Sequence, residues 1–457
     1  METELLIIGG GPGGYTAAFA AADRGMEVTL VDGRPLPGGV CLHEGCIPSK
    51  ALLAAAEAIE QGRAARRMGI DFGDPSIDLD RLRSWKEGIV GRMARGIASL
   101  AKARGVRLMA GEARLRSPTE AVVATEAGEA RIRFRHAILA AGSRAAPVPP
   151  LAGAAGTMDA AGALALEAIP ARLLVVGAGA VGLELGFAYA ALGARVTLVE
   201  QAEQLLPGVE VELVTPLARA ARRRLAEIHT GTRVAAVTEE EGGLRVALAG
   251  AAAGEVEVDR ILVATGRRPN SDRLGLENTR VVLDGAGFVV TDVADRTAEP
   301  TLFAIGDLTG PPLLAHRASH QGVAAVAAIA GDAVGAGVPL PSVVYTRPEV
   351  AWVGAQTPPP GGRVTRFPWS ASGRAATLGD ATGLTRLVWD GDGRLAGGGI
   401  TGPHAGELIA ELTLGLTLGA TAPQLAATCH PHPTLSETVM EAAALFTGTT
   451  THLPPAG

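Results

Sequence analysis

The stretch Leu5-Leu6-Ile7-Ile8-Gly9-Gly10-Gly11-Pro12-Gly13-Gly14 decides the fold of this chain. Its first four residues form a continuous apolar run, as expected of a strand buried on both faces of a parallel sheet. Glycines then follow with the G-x-G-x-x-G spacing, at Gly9, Gly11 and Gly14. An Ala-rich segment, Tyr15–Arg24, comes next and is helix-like. Such glycines close a tight turn and let the backbone approach a pyrophosphate at a helix N-terminus.

A carboxylate completes this motif. Val28–Val31 has the pattern of a second strand, and Asp32 follows it, 18 residues after Gly14. An acid at this position accepts a hydrogen bond from a ribose hydroxyl. A glycine turn alone is a weak signal in a chain with 61 glycines. The strand, the turn, the helix and the acid together predict a dinucleotide site.

The same motif recurs 168 residues later. Leu173–Val176 is apolar, and the strand-like Arg195–Val199 ends at Glu200; the glycines between them are Gly177, Gly179 and Gly182. Two motifs with equal internal spacing indicate two nucleotide-binding domains. Glu200 would bond a ribose 2′-hydroxyl and repel a 2′-phosphate. The next residues, 201–203, contain no Arg or Lys, so the second site is expected to prefer NAD to NADP.

Two of the three cysteines lie in the segment Gly39–Lys50. Cys41 and Cys46 would be about 7.5 Å apart along an ideal helix, whereas a disulfide needs Cα atoms roughly 4.4–6.8 Å apart. Gly45 and Pro48 are expected to let the segment distort and close a reducible bridge. The alternative is a pair of buried apolar cysteines, and their spacing alone does not decide between the two.

Composition excludes several classes of protein. The net charge is −6 without a long basic block, which argues against a nucleic-acid partner. Three cysteines do not make an extracellular disulfide framework. No segment reaches the roughly 20 uncharged apolar residues of a membrane span; the apolar stretch Leu408–Ala420 carries Glu411, and the acidic N-terminus is unlike a signal peptide. We therefore expect a soluble, cytoplasmic protein that does not span a membrane.

The chain resembles the flavin- and pyridine-nucleotide-dependent disulfide oxidoreductases. Besides the two glycine motifs and the dithiol segment, five segments match in the family's order over nearly the full length: Ala264–Asn270, Gly306-Asp307, Tyr345–Gly354, Gly402–Ile409 and Cys429–Glu437. The resemblance implies an α/β fold with two Rossmann-like nucleotide-binding domains, for FAD and NAD, and an α+β C-terminal dimerisation domain. The implied division is 1–146 for FAD, 147–270 for NAD, 271–340 as the return to the FAD domain and 341–457 as the interface domain.

The resemblance also implies how the cofactors are held. FAD and NAD would be bound by residues of the two glycine motifs, their acids and several later positions: Gly9, Gly11, Pro12, Gly14, Asp32, Lys50, Gly142, Asp307, Gly177, Gly179, Gly182, Glu184, Glu200 and Gly266. Asp307 would bond the ribityl chain of the flavin. Lys50 would lie near the flavin N5 edge and pair with Glu184. The alternative is that Lys50 is a solvated charge on a helix and Glu184 an ordinary partner. No metal site is expected.

The catalytic residues follow from the same resemblance. Cys41 would be the thiol that meets substrate, and Cys46 the thiol that faces the flavin. His432 would be the base, oriented by Glu437 and contributed by the other subunit of a homodimer. Histidine suits this role because its charge changes near neutral pH and a carboxylate fixes its tautomer. Alternatives are that His430 acts instead, or that His432 is a surface residue in a Pro-rich tail.

The resemblance is closest to members that oxidise protein-bound dihydrolipoyl groups and reduce NAD, so a lipoyl domain or lipoyl carrier protein is the expected partner. A related FAD reductase acting on another disulfide or a metal is the first alternative. A mercuric reductase should have a C-terminal cysteine pair, and a glutathione reductase should have basic residues after Glu200; this sequence has neither. A non-catalytic, FAD-containing assembly subunit is the other alternative. Arg386, where Lys is frequent, and Ala371–Ala381 depart from the family pattern.

Overall fold

The computed structural model describes residues 1–335 and 337–454 of the 457-residue chain. The last three positions of the predicted interface domain, 455–457, therefore lie outside the described residues. Three larger sheets organise the described part, together with a three-stranded and a two-stranded sheet. We keep the predicted domain boundaries as a proposal.

The first sheet is built around the opening strand, whose residues Leu5, Leu6 and Ile7 are fully buried. Its central strands are parallel, and residues 302–304 return from far along the chain to extend it beside residues 137–139. The strands are Glu2–Ile8, Val28–Asp32, Arg107–Ala110, Glu112–Ser117, Glu120–Thr125, Gly128–Leu139 and Leu302–Ala304. The helices are Pro12–Ala22, Gly39–Glu44, Cys46–Ala65, Leu79–Ala103 and Ala315–Ile329.

The second sheet repeats this arrangement with five parallel strands: Thr157–Met158, Arg172–Val176, Arg195–Val199, Glu227–His229 and Arg260–Val263. Its helices are Ala160–Ala165, Ala180–Ala191 and Val211–Arg224. A three-stranded antiparallel meander comprises Thr232–Glu240, Gly243–Gly250 and Gly254–Val258. A two-stranded ribbon, Ser143–Ala145 with Arg267–Pro269, joins the two nucleotide-binding regions.

The third sheet is antiparallel and carries helices, as expected of an α+β unit. Its strands are Ser342–Val344, Glu349–Gly354, Arg363–Pro368, Leu384–Trp389 and Leu395–Gly402. Its helices are Gly373–Thr377, Ala405–Leu418, Ala422–Ala427 and Glu437–Thr447. Trp369 and Trp389 are fully buried in its core. Short 3₁₀ turns lie at Arg66–Met68, Ser271–Arg273, Leu276–Asn278, Gly306–Thr309 and Trp369–Ala371.

Within residues 1–335 and 337–454, every helix is too short or too polar to cross a bilayer.

Candidate functional site

The first glycine motif is a turn in which side chains do not fit. Gly9 has φ +111°, and a Cβ there would lie 2.2 Å from the carbonyl oxygen of Ala140. A Cβ on Gly14 would lie 1.8 Å from the carbonyl oxygen of Gly9. Pro12 occupies the first position of the following helix, where its missing N–H costs nothing. These glycines bring the helix N-terminus close to the strand end, which is the geometry that receives a pyrophosphate.

Asp32 stands at the end of the second strand, as its sequence position predicts, and faces this turn. Its carboxylate accepts hydrogen bonds from the amide of Gly10 at 2.5 Å and from the amide of Arg34 at 2.8 Å. The acid therefore holds the glycine loop in place. It also stands where it could accept a hydrogen bond from a ribose hydroxyl.

The second motif reproduces this geometry. Gly177 has φ +104°, and a Cβ on Gly182 would lie 1.9 Å from the carbonyl oxygen of Gly177. The Glu200 carboxylate accepts from the amides of Ala178 at 2.7 Å and Ala202 at 2.8 Å. The two nucleotide loops are thus equivalent in backbone and in the role of the acid.

The dithiol segment is two helices rather than one distorted helix. Gly39–Glu44 ends at Gly45, whose φ of −141° and ψ of −110° are not helical, and a new helix starts at Cys46. The break therefore lies at Gly45 alone, because Pro48 sits in the first turn of the second helix, where proline is tolerated. This interruption lets the side chains of two cysteines five residues apart meet.

The two thiols are free and half-buried in the structure. The neighbouring Cys41 side chain, helped by the charge of Lys50 and opposed by burial, lowers the pKa of Cys46 to about 7. The Cys46 side chain, together with burial, raises the pKa of Cys41 above its ordinary value. Cys46 is therefore the thiol that carries negative charge near neutral pH, and Cys41 keeps its proton.

Lys50 and Glu184 form the ion pair that the family resemblance implies. Lys50 Nζ lies 2.8 Å from Glu184 Oε2, and the carboxylate is 6% exposed. The other carboxylate oxygen accepts the amide of Tyr345 at 3.0 Å. Lys50 also lies 4.4 Å from the centre of the Tyr345 ring. The partly buried ion pair thus ties the dithiol helix to the second nucleotide domain and to the C-terminal domain.

Asp307 joins the first sheet to the ribbon between the domains. Its Oδ2 accepts the Ser143 hydroxyl at 2.5 Å, and Arg267 donates to that same hydroxyl at 2.7 Å. Gly142 and Gly266, both at positive φ, flank the ribbon strands. Gly142 also accepts the Asn270 amide through its carbonyl at 3.0 Å.

Two cavities adjoin at the dithiol segment. The first, of about 670 Å³, is lined by Gly9, Gly11, Pro12, Asp32, Cys41, Cys46, Lys50, Gly142, Glu184 and Asp307. The second, of about 640 Å³, is lined by Gly177, Gly179, Glu200 and Gly266. Both cavities are lined by Val40, Glu44, Ser143, Ala160, Ala180, Val181 and Arg267. The cradles under the glycine loops and the acids at the strand ends fit two dinucleotides that meet at this junction.

Gly14 and Gly182 are absent from the lining of these two cavities, because they serve the packing of helix on strand. His432 and Glu437 are also absent from the lining of these two cavities. They do meet each other: His432 Nδ1 lies 2.9 Å from Glu437 Oε1, and the other oxygen accepts the Thr434 amide at 2.7 Å. The imidazole is 73% exposed. One chain therefore places the thiols and the histidine in separate regions.

The structure adds residues that the sequence analysis did not single out. Ser143 and Arg267 lie at the junction of the cavities, and Tyr345 lies against Lys50. Arg233 lines the second cavity together with Glu200. The second site therefore has a basic residue, Arg233, although residues 201–203 contain none. The amide of Thr232 donates to the Glu200 carbonyl at 2.9 Å, which brings the neighbouring Arg233 to this cavity, and local sequence offered no signal for it.

His430, the alternative base, has a different partner. Its Nε2 lies 2.8 Å from Glu411 Oε1, its Nδ1 lies 2.9 Å from the Thr428 carbonyl, and its side chain is 5% exposed. Both ring nitrogens of His430 have partners, whereas among residues 1–335 and 337–454 only Nδ1 of His432 has one. This geometry favours His432 as the residue able to exchange a proton with a substrate.

Comparison with known families is consistent with this geometry. The sequence profile described as pyridine nucleotide-disulphide oxidoreductase matches residues 3–322. The profile of that family's dimerisation domain matches residues 340–443. Together the two profiles account for most of the chain, in the order of the three sheets.

Individual relatives match over nearly their full length. A dihydrolipoyl dehydrogenase of Thermus scotoductus is 43% identical, covering 96% of each chain. A dihydrolipoyl dehydrogenase of Vibrio cholerae is 38% identical, covering 100% of this chain and 98% of the relative. The crystal structure of LpdA from Mycobacterium tuberculosis superposes with a TM-score of 0.89 at 26% identity, covering 97% of this chain and 99% of the other.

Proposed function

This chain belongs to the pyridine nucleotide-disulphide oxidoreductase family, and we propose that it is an FAD-containing dihydrolipoyl dehydrogenase that reduces NAD. The observation that carries the proposal is the position of the thiol pair, Cys41 and Cys46. They line one nucleotide cavity where it adjoins the other, and the acid and glycine loop of each cavity fit a dinucleotide. The relatives' names supply the substrate class, a dihydrolipoyl group. The alternative of a non-catalytic subunit is disfavoured by the intact thiol pair.

The cysteines accept the two electrons of the substrate by thiol–disulfide exchange. With the pair oxidised, a substrate thiolate attacks Cys41 Sγ, forms a mixed disulfide and releases Cys46 as a thiolate. The second thiol of the substrate then attacks the substrate sulfur that is bonded to Cys41 Sγ. That bond breaks, which frees the lipoyl disulfide and leaves Cys41 as a thiol. A low pKa makes Cys46 the better leaving thiolate.

His432 takes the proton of the first substrate thiol in this proposal, and Glu437 holds its ring. Because His432 lies outside the cavities of its own chain, we propose that it serves the thiols of a partner subunit in a homodimer. The dimerisation-domain match to residues 340–443 supports this arrangement.

The surrounding groups hold the proposed cofactors and tune the thiols. Asp32 and Asp307 would bind the ribose and ribityl parts of FAD, and Glu200 the ribose of NAD. Lys50 stabilises the Cys46 thiolate through its charge. When bound, FAD supplies the two-electron chemistry that connects a dithiol with a nicotinamide. The lipoyl group would arrive on a lipoyl domain or a lipoyl carrier protein.

Cys46→Ser tests the proposal most simply. We expect NADH formation from dihydrolipoamide to fall by at least about a thousandfold, because no disulfide can form. Ferricyanide reduction by NADH, which needs no thiol, serves as the control and should stay within about threefold. Retained dihydrolipoamide turnover in Cys46→Ser would refute the thiol relay.

A further inference from the structure

The six-residue helix Ala160–Ala165 forms a wall that the two cavities share. Ala160 lines both cavities, Leu164 lines the first, and Asp159 and Ala161 line the second. We call this helix the shared wall. A helix of so few residues is not stable by itself in water, so its contacts with the rest of the chain set its position.

A lysine from the first nucleotide-binding region reaches the C-terminal end of the shared wall. Lys86 lies on the helix Leu79–Ala103 and donates to the carbonyl of Leu164. It is 4% exposed, although lysines are almost never fully buried unless they are paired. Burial lowers the pKa of Lys86, so the ammonium is kept there against the cost of leaving water. The last carbonyls of a helix have no partner within it and favour a cation, which Lys86 supplies.

An arginine one turn before Lys86 holds the residue at which the shared wall ends. Arg83 donates through Nε and Nη2 to the Leu166 carbonyl, at 3.2 and 2.9 Å, and through Nη2 to the Glu167 carbonyl at 3.1 Å. Leu166 is buried and has φ +57°, a left-handed conformation that is strained for leucine. Such a conformation persists only where the surroundings hold it, and Arg83 binds the chain at this point.

The second nucleotide-binding region also holds the shared wall. The hydroxyl of Tyr189, on the helix Ala180–Ala191, donates to the Ala163 carbonyl at 2.7 Å. The wall is therefore fastened to both regions. The cations of the helix Leu79–Ala103 are the attachment that comes from the first region, where FAD is proposed to bind.

We infer that Arg83 and Lys86 are positioning residues for the two-electron transfer between the two cavities. The inference rests on the proposed binding of FAD and a nicotinamide nucleotide there. The two cations hold one end of the shared wall, and Ala160, at its other end, lies where the cavities adjoin. A hydride passes only between atoms in near contact, so a small displacement of this wall slows the transfer steeply. Each dinucleotide keeps its own glycine loop and acid.

Four variants of the full-length, FAD-loaded protein separate this role from a general loss of charge. Lys86→Met and Arg83→Met remove the bonds to the shared wall and keep most of the side-chain volume. Arg83→Lys keeps a cation at the same place. Lys102→Met is the matched control, because it removes a lysine from an exposed position of the same helix. Since Arg83 also lies 3.1 Å from the exposed Asp80, Asp80→Asn serves as a further control for the loss of that ion pair.

Hydrogen exchange of residues 160–166, followed by mass spectrometry without NAD, is the first readout. We expect exchange to become at least about tenfold faster in Lys86→Met and Arg83→Met, because a helix end with unpaired carbonyls opens more often. Exchange in Lys102→Met and Asp80→Asn should match that of the wild type. This readout requires no turnover.

Reduction of the flavin by NADH in a stopped-flow instrument is the second readout; NADH becomes NAD and the flavin takes up the same two electrons. In both methionine variants the rate at saturating NADH should fall about tenfold. The NADH concentration for half-saturation should change by less than about threefold, because Glu200 and the second glycine loop are untouched. Arg83→Lys should stay within about threefold of the wild-type rate. Flavin reduction by dihydrolipoamide without NAD should stay within about twofold in all variants, because those electrons do not cross between the cavities.

Unchanged hydrogen exchange in both methionine variants would overturn the inference. So would a slowing that Lys102→Met shares, or an equal slowing of flavin reduction by dihydrolipoamide, which indicates a general structural effect. If Lys86→Met does not fold, Arg83→Met decides by the same readouts, since the Arg83 side chain is 30% exposed. A protein whose flavin dihydrolipoamide does not reduce refutes the proposed substrate, and the two readouts without that substrate still decide the inference.

Discussion

The two glycine loops share one backbone geometry but differ in what covers them. At the first loop, the dithiol segment lies across the turn: a Cβ on Gly39 would be 2.6 Å from Gly11 Cα, and the Gly38 amide donates to the Gly10 carbonyl at 2.7 Å. At the second loop, a Cβ built on Gly179 meets no atom of the described chain within 4 Å. The two glycine loops are thus equivalent in backbone but differ in which parts of the chain lie against them.

This difference indicates a division of labour between the two sites. Cys41, Cys46 and Lys50 of the dithiol helices line the first cavity, so a dinucleotide bound there would lie against these helices. The second cavity meets this segment at Val40 and Glu44. The first site therefore suits a resident cofactor, FAD, and the second suits NAD, which must exchange at every turnover.

The largest expected effect comes from the glycine that packs helix on strand in each loop. Gly14→Ala would place a Cβ 1.8 Å from the Gly9 carbonyl, and Gly182→Ala would place one 1.9 Å from that of Gly177. Each should destabilise its own domain by about 3 kcal/mol. We expect Gly14→Ala to lose FAD on purification and Gly182→Ala to retain FAD but not bind NAD. Flavin absorbance and NAD titration measure the two outcomes, and loss of FAD in both variants would show that the sites are not separable.

A comparison of Gly39→Ala with Gly179→Ala tests whether the dithiol segment covers the first glycine loop and leaves the second uncovered. Gly39 has φ +60° and contacts Gly11, so Gly39→Ala should lower stability by about 2 kcal/mol and speed FAD release. Gly179→Ala meets no described atom of the chain, so it should raise the KM for NAD about tenfold while the urea midpoint of unfolding stays unchanged. A lower urea midpoint in Gly179→Ala would mean that the second loop is covered after all.

The acids of the two loops give a smaller effect. Glu200→Gln keeps an acceptor for the Ala178 amide but removes the charge that repels a 2′-phosphate. The ratio of kcat/KM for NAD to that for NADP should fall by about tenfold, or about 1.4 kcal/mol. Arg233, in the same cavity, is then available to a phosphate. An unchanged ratio would contradict the assignment of Glu200, and Asp32→Asn serves as the matched control that should leave the ratio unaltered.

The smallest effect concerns a buried carboxyl beneath the first site. The Gly306 amide donates to Gln321 Oε1 at 2.9 Å, and Gln321 Nε2 donates to Asp295 Oδ1 at 2.6 Å. Burial raises the pKa of Asp295 to about 6, opposed by Gln321 and the charge of Arg317. The folded state then binds an extra proton between about pH 4 and pH 6, so this group's contribution to stability rises as pH falls through that window.

Asp295→Asn removes the cost of the buried charge and keeps an acceptor for Gln321. The variant should therefore be more stable than wild type by about 1 kcal/mol at pH 7.5, with the difference vanishing near pH 4. Urea unfolding at both pH values checks this. An equal gain at the two pH values would show that ionisation of Asp295 is not its cause.

The sequence predicted the parts of the site that lie within one local motif. The glycine loops, Asp32, Glu200 and the two cysteines are identified by spacing, because strand, turn and helix follow each other directly. The family resemblance then paired Lys50 with Glu184 across 134 positions, and the structure brings them together. Arg233 and Ser143 were missed, since their positions in the site arise from contacts between segments distant in sequence that no local pattern encodes.

The distortion of the dithiol segment shows a second limit of prediction from sequence. Glycine and proline were both expected to bend it, yet the non-helical dihedral angles belong to Gly45, and Pro48 fits a first helical turn. Which residue breaks a helix depends on where the next helix starts, and that is set by packing around the cavity. The residue types present in the segment therefore do not determine where the helix breaks.

The most direct test of the account is to dialyse the purified protein extensively, add dihydrolipoamide without oxygen, and then add NAD, following the flavin spectrum throughout. The account predicts that the retained flavin is reduced by the dithiol and fully reoxidised by NAD without added FAD. A flavin that is lost on dialysis, or that NADH reduces but dihydrolipoamide does not, would contradict it.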